Sequence, residues 1–344
     1  MIKKRKLTLL KISCPNYNFN NSSISLFIEM VQIIRKIIKS PQKYLSPLYI
    51  LNILAFGRLF IIWRQMSRFI TSDKLFLKVY YRLGMQERLN LKNPQSFTQK
   101  IQWLKLHNTN PFYSILVDKY EVRKVVAEKI GSGYLIPLLG VWSTYDDINF
   151  DNLPEQFVLK TTHDSGSVIV CTAKSLFDKS ATRNKLNKAL KRNYFYCSRE
   201  FPYKNAVPRI IAEEFMYDEH QKDLTDYKFF CFNGEPKILL LVTHIGSEKC
   251  NNYFDMDFNP LPFSTGFDRS KSEILQPSNL EEMVAVAKKL SSNLIHVRID
   301  LYNINGKVYF GEYTFHHGGG LTKFIPSEWN KKLGDMIELP VDLR

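Results

Sequence analysis

Cysteine is scarce and shows no pairing pattern. The five residues, Cys14, Cys171, Cys197, Cys231 and Cys250, form no C-x-x-C pair. That spacing excludes a disulfide framework and reads as reduced thiols of a cytoplasmic protein. No H-E-x-x-H or G-x-S-x-G motif occurs, so zinc-protease and serine-hydrolase chemistry lack a carrier. Glycine and proline number 15 each in 344 residues, which excludes a fibrous or low-complexity chain. No internal repeat is present. A long apolar run is also missing. LYILNILAFGRLFIIW (Leu48–Trp63) spans 16 residues and contains Arg58, whereas a membrane span needs about 20. The opening MIKKRKLTLLKI has no small-residue cleavage site, which argues against a secretory signal.

Acids are nearly missing from residues 1–82, which hold 15 Lys/Arg against only Glu29 and Asp73, a balance of +13. Taken from the chain totals of 48 and 33, this leaves 33 bases and 31 acids, or +2, for residues 83–344. The basic excess therefore belongs to a leader interleaved with apolar and aromatic residues. Such a leader suits an anionic membrane surface, not a nucleic-acid groove. A buried helix of an N-terminal subdomain is the competing reading of Leu48–Trp63.

What is present is a core-forming composition, 44% hydrophobic and 13% aromatic. Residues 1–70 read as the basic, apolar leader, 71–140 as a helical subdomain, and 141–344 as an α+β unit. Ser96 can cap the helix SFTQKIQWLKLHN, and Asp118 can cap DKYEVRKVVAEKIG, which stops at Gly131. IPLLGVW reads as a link. FVLK and SVIV read as paired strands, and RIIAEEF as a buried strand. Helices are expected at about 182–196 and 279–293. Asn233-Gly234 and Asn305-Gly306 mark hairpins. Interspersed helices and hairpins indicate α+β, not a doubly wound parallel sheet.

The last hairpin, HVRIDLYNINGKVYFGEYTF, carries the clearest chemistry. Period-two alternation puts His296, Arg298, Asp300 and Tyr302 on one face, and Val308, Phe310, Glu312, Thr314 and His316 on one face of the return strand. A two-residue turn would separate Asp300 from Glu312. A three-residue loop, with Gly306 left-handed at its third position, would place Glu312 opposite Arg298 and one step from Asp300. Paired acids on one face call for a cation between them, and Mg²⁺ takes carboxylate and phosphate oxygens. The competing reading is a solvated ion pair.

Three weaker signals precede it. Lys160 ends an apolar strand before the polar loop TTHDSGS, which can bring a charge and N–H groups to a polyphosphate. Glu213 and Glu214 close a strand before Phe215 and Met216, a segment able to meet an adenine edge. Asp226 and Lys228 share a strand face, as a ribose acceptor and phosphate cation or as a plain salt pair.

In that order, the motifs resemble the ATP-grasp superfamily. NPQSFTQKIQWLKLHN, LVDKYEVRKVV, GSGYLIPLLGVW, LPEQFVLKTTHDSGSVIV, DYKFFCFNGEPKI and FGEYTFHHGGG resemble the TupA-like ATP-grasp amidoligases of bacterial surface-polysaccharide clusters, over about residues 75–340. The resemblance implies an ATP-grasp fold, two α+β subdomains clamping ATP, after a helical N-terminal region. It implies Lys160 at the α- and β-phosphates and a loop of Ser165, Gly166 and Ser167 closing over them. Glu213 or Glu214 meets the adenine amino group beside the hinge Phe215-Met216. Asp226 meets ribose, and Lys228 a phosphate. Asp300, Glu312 and Thr314 hold Mg²⁺, with Mn²⁺ as a substitute. Arg298 stabilises the transferred phosphoryl group.

Two departures stand out. Thr314 replaces the metal-binding Asn common in the superfamily, and His316-His317 stand where Pro is common. The histidines read either as substrate ligands or as hydrogen-bonded loop residues.

The implied reaction joins a uronic acid or amino acid carboxylate to an amine through an acyl-phosphate. It would take place in capsule, teichuronopeptide or O-antigen synthesis. The leader would hold the enzyme at the inner face of the cytoplasmic membrane, near a lipid-linked glycan. The alternatives are a glycosyltransferase, whose only D-x-D match is Asp255–Asp257, and a non-catalytic glycan-binding protein. HVRIDL superficially matches a kinase loop but lacks a following D-F-G.

Overall fold

The computed structural model describes residues 57 and 59–340 apart from 220–223, 246–247 and 271–272. Most of the leader therefore lies outside the described residues, including residues 48–56 and Arg58 of the apolar run. Among the described residues no helix is long and apolar enough to cross a membrane.

Two antiparallel sheets organise the chain. The first contains β1 (Leu138–Trp142), β2 (Phe157–Thr161), β3 (Ile169–Cys171) and β4 (Ile210–Glu214), in the order β1-β4-β2-β3. The second contains β5 (Asp226–Phe232), β6 (Glu235–Ile245), β7 (Glu248–Phe254), β8 (His296–Ile304) and β9 (Lys307–Thr314), in the order β7-β6-β5-β8-β9. Residues 59–65 are helical, and the helices that follow are α1 (Asp73–Met85), α2 (Phe97–His107), α3 (Phe112–Val117), α4 (Val122–Ile130), α5 (Lys179–Leu190), the one-turn α6 (Phe195–Ser198), α7 (Leu280–Ser291) and α8 (Glu328–Asp335). The architecture is α+β, as the sequence pattern indicates.

Local chemistry sets the boundaries. Ser96 accepts from the Gln99 amide at the start of α2, and Asp118 accepts from the Tyr120 and Glu121 amides just before α4. Gly131, at φ 102°, ends α4. Asp178 caps α5 three residues earlier than the pattern suggests, by accepting from Ala181. That helix stops at Leu190, and α6 is separate from it. The stretch read as a link, IPLLGVW, instead supplies β1, which pairs with β4. Its Gly140 leaves room for the Trp142 ring, which a Cβ would meet at 2.4 Å.

The five-stranded sheet is packed on both faces. On one, Tyr227, Phe229, Val297, Ile299 and Leu301 meet α3, α4 and α7 through Val117, Val126, Met283 and Leu290. On the other, Phe230, Phe232 and Ile238 meet α2 and α8 through Phe97, Ile101 and Leu333. The end of this second face that carries Asp226, Lys228, Arg298 and Asp300 is polar. The four-stranded sheet buries Phe157, Leu159, Ile210 and Ala212 against Leu186 of α5. A smaller core joins Phe60 to Phe76, Leu77 and Tyr80.

The β8–β9 hairpin corrects the expected loop. The turn has two residues, not three. Asn305 (φ 52°) and Gly306 (φ 78°) are both left-handed, and Ile304 pairs with Lys307. This is the turn type that the strand twist favours and that Asn-Gly supplies. Parity is restored further along. Leu301 pairs with Phe310, but Asp300 pairs with Glu312, so Gly311 is an extra residue bulged out of the ladder. A Cβ at Gly311 would come within 3.0 Å of the Asp300 carbonyl and 3.2 Å of the Tyr302 ring, so the backbone approaches closely only because glycine stands there. Glu312 therefore faces Asp300 directly, and Thr314, not Glu312, faces Arg298.

Candidate active site

The polar end of the five-stranded sheet is built by cross-strand pairing. Lys228 pairs with Asp300 and Asp226 with Tyr302. Asp300 is buried, with 2% exposure, and both of its oxygens are engaged. Arg298 Nε donates to Oδ1 at 2.6 Å and Nη2 to Oδ2 at 2.8 Å. Lys228 Nζ donates to Oδ2 at 2.5 Å and lies 3.4 Å from Asp226 Oδ1. Burial opposes ionisation of Asp300, but the Arg298 and Lys228 charges outweigh it and hold the carboxyl below its ordinary value. Burial likewise opposes the Lys228 charge, and Asp300 reverses the sign and raises it.

Glu312 is more open than Asp300, with its side chain 40% exposed. Its Oε1 accepts from Thr314 Oγ1 at 3.0 Å, and Arg298 Nη2 reaches the same oxygen at 3.4 Å. Arg298 Nη2 also donates to Thr314 Oγ1 at 3.0 Å. Thr314 thus bridges the guanidinium and Glu312. No group of three or more His, Cys, Asp or Glu side chains that could hold a metal occurs among the described residues. Two carboxylates and a hydroxyl are hard oxygen donors, and they fit a divalent cation completed by phosphate oxygens or water. Glu312 is the accessible member of that set, whereas Asp300 is shared with Arg298 and Lys228.

On the four-stranded sheet Lys160 Nζ contacts Glu213 Oε2 at 2.6 Å. Arg123 of α4 contacts Glu213 Oε1 at 3.3 Å and the Ile136 carbonyl at 2.8 Å. Glu213 is therefore buried between two cations, while Glu214 is exposed. Phe215 and Met216 are half-buried on the segment that leaves β4. That segment docks on the β8–β9 turn, where the Asn305 amide donates to Asp218 Oδ2 at 2.8 Å and the Glu219 amide to Asn305 Oδ1 at 2.9 Å. Burial first, then the Asp226, Glu312, Asp300 and Glu213 carboxylates, hold the Tyr302 phenol well above its ordinary value.

The loop after β2 is tightly tied. Buried Asp164 accepts from the Thr161 and Ser167 hydroxyls and from Arg192. The Ser167 hydroxyl is directed inward, and Ser165 and the exposed Gly166 (φ 91°) form the loop's outer part.

Two groups at this site, Arg123 and Lys249, escape the sequence pattern. Arg123 reads as an ordinary helix-surface base. Lys249 arrives on β7, where Asn251 and Asn252 blur the alternation. Lys249 is exposed, and nearby groups, then the Lys228 and Arg298 charges, lower its ammonium below the ordinary value. His317 Nδ1 lies 2.6 Å from Arg298 Nη1. His316 is buried 3.5 Å from Glu200 Oε2. The D-x-D triplet is a turn, in which Asp255 Oδ1 accepts from the Asp257 and Asn259 amides at 3.0 and 2.8 Å.

Two antiparallel α+β sheets, with Lys160 on one and the Asp300–Glu312 pair on the other, define an ATP-grasp protein. The chain belongs to the TupA-like ATP-grasp family, whose model matches residues 99–338. No curated protein matches it. Among solved structures it is similar to D-alanine–D-alanine ligase from Bacillus anthracis complexed with ATP, at 16% identity and TM-score 0.35, covering 58% of this chain and 55% of that one. The Helicobacter pylori D-alanine–D-alanine ligase gives 18% identity and TM-score 0.34, covering 72% of this chain and 70% of that one. D-cycloserine synthetase DcsG gives 16% and 0.34, covering 60% and 65%. The chain thus spans little more than half the length of the Bacillus anthracis ligase.

Proposed function

We propose that the protein is an ATP- and Mg²⁺-dependent carboxylate–amine ligase that forms an amide through an acyl-phosphate. The observation that carries this reading is the direct pairing of Glu312 with Asp300 beside Arg298 and Lys228. Phosphoryl transfer needs positioned cations and metal-binding carboxylates, not a nucleophile triad, and this face supplies that set.

In the proposed reaction an oxygen of the substrate carboxylate attacks the γ-phosphorus of ATP. The bond to the β–γ bridging oxygen breaks, and ADP leaves with the electron pair. The amine nitrogen then attacks the acyl carbon, phosphate departs, and the amine proton leaves with it. Lys160 and Lys228 bind phosphate oxygens, with Ser165, Gly166 and the Ser167 backbone closing over them. Asp226 binds ribose. Glu213 or Glu214, with Phe215 and Met216, receives adenine. Arg298 stabilises the transferred group. A Mg²⁺ held by Asp300 and Glu312, with Thr314 beside them, would neutralise phosphate charge; Mn²⁺ would serve the same donors.

The proposed setting is bacterial surface-polysaccharide synthesis, with a uronic or amino acid as the acid. A lipid-linked glycan is the proposed acceptor, at the inner face of the cytoplasmic membrane. The +13 balance of residues 1–82 supports membrane contact, as do exposed Leu59, Ile61, Ile62 and Phe69 beside it. The test of the reaction is ADP and phosphate release with a panel of uronic acids and amino acids. Release that requires both acid and amine supports the ligase. Hydrolysis of a nucleotide-sugar without ADP formation contradicts it.

A further inference from the structure

Arg298 is oriented by its partners in a way that sets one nitrogen, Nη1, apart. Its Nε and Nη2 protons are directed at Asp300, Thr314 and Glu312. Nη1 is directed instead at His317 Nδ1, at 2.6 Å. A guanidinium carries only donors and never gives up its charge in a protein. Nδ1 must therefore be the acceptor, with no proton of its own, and the imidazole proton must sit on Nε2. A doubly protonated ring could not make this contact at all. The tautomer follows from the chemistry of the partner.

The ring is held in place from three sides. The Phe230 ring lies edge-on to it, with centroids 4.8 Å apart. The backbone after it is locked in three successive left-handed glycines, Gly318, Gly319 and Gly320. Gln102 Nε2 donates to the Gly319 and Gly320 carbonyls at 3.0 Å, and buried Lys105 Nζ donates to Gly319 at 2.7 Å. Burial first, then the Arg298, Lys249 and Lys228 charges, hold the imidazole well below its ordinary value. The ring is half-buried, and no described residue accepts its Nε2 proton.

We propose that His317 is a catalytic residue: a neutral imidazole whose Nε2–H donates, beside Arg298, to the acyl oxygen of the substrate. This deepens the ligase reading and rests on it. In the first step one carboxylate oxygen forms the bond to phosphorus while His317 holds the other. In the second, the amine's lone pair forms the C–N bond and the carbonyl electrons move onto that held oxygen. His317 keeps its proton and stabilises the negative charge by hydrogen bonding. The charge then collapses back, expelling phosphate. Preorganised donors aimed at a developing oxyanion are among the largest single contributions to acyl-transfer rates, and a neutral imidazole serves as such an electrophile where the ring cannot protonate.

The test separates the two ring nitrogens. Asparagine places its amide near Nδ1 and glutamine near Nε2. ADP release would be followed with Mg–ATP, hydroxylamine as the amine, and D-glucuronate, D-galacturonate, L-glutamate or L-alanine as the acid. His317→Asn, which keeps an acceptor for Arg298, should lose about 10²–10³-fold in kcat. His317→Gln should stay within about tenfold, and neither should change ATP affinity. The reverse order would make His317 a mere support for Arg298 and overturn the proposal. ADP release by the parent protein that needs no acid would instead overturn the ligase reading. Independently of turnover, ¹⁵N NMR of the His317 ring at pH 7 should show a protonated Nε2 and bare Nδ1. An imidazolium, or a proton on Nδ1, would overturn the proposal.

Discussion

Glu312 stands directly opposite Asp300 across β8 and β9, and it does so because Gly311 bulges out of the ladder between them. With an unbroken two-residue hairpin, Glu312 would pair with Ile299 and point into the core. The bulge moves one carboxylate from the apolar face to the polar one.

The bulge predicts a sharp side-chain intolerance at Gly311. Gly311→Val must push the Asp300 carbonyl or the Tyr302 ring, which a Cβ would approach at 3.0 and 3.2 Å. A cost of about 1–3 kcal/mol is expected, as for overpacking. Urea unfolding measures it, and ADP release should fall further than the lost stability explains. A variant with parental stability and activity would contradict this geometry.

The Asp300 ion cluster predicts a specific acid limb. The folded pKa of Asp300 is depressed, so its stabilising contribution is present above the unfolded value of about 3.9 and is lost as pH falls through the lower folded value. Asp300→Asn should remove that limb. It also leaves Arg298 and Lys228 buried without their carboxylate, at a cost of about 3–5 kcal/mol at neutral pH. Thermal unfolding of parent and variant from pH 2 to pH 7 measures both effects. A variant as stable as the parent at pH 7 would show that the cluster is not compensated as described.

Much of this site is legible in the sequence, and the misses have physical causes. Alternation alone identifies Arg298, Asp300 and Tyr302 as one face, because strand period is fixed by the pleat. The loop length is misjudged because parity can be changed in two places, at a turn or at a bulge, and the pattern constrains only their sum. An isolated glycine within a strand pattern, Gly311, is the signal for the second. β1 is missed because an edge strand with a glycine looks like a link. Lys249 is missed because Asn251 and Asn252 hide the period of β7. The contact of Arg123 with Glu213 joins residues 90 apart in sequence, which no local pattern encodes.

The leader predicts charge-dependent membrane binding. The full chain should co-sediment with vesicles containing phosphatidylglycerol, less with phosphatidylcholine alone, and less at high salt. Removing residues 1–56 leaves Phe60 and Trp63 to pack on Phe76 and should weaken the binding. Binding that is indifferent to lipid charge, or unchanged by the truncation, would contradict the leader's proposed role.

The most direct test of the central claim is ADP formation by Glu312→Gln. The Glu312 side chain is 40% exposed, so the change should leave the unfolding midpoint close to that of the parent. It removes a charged ligand from the Asp300 pair, and acid-dependent ADP formation should fall by at least about 10²-fold, with a higher Mg²⁺ requirement. A folded Glu312→Gln protein that forms ADP at the parental rate and the parental Mg²⁺ concentration would contradict the account.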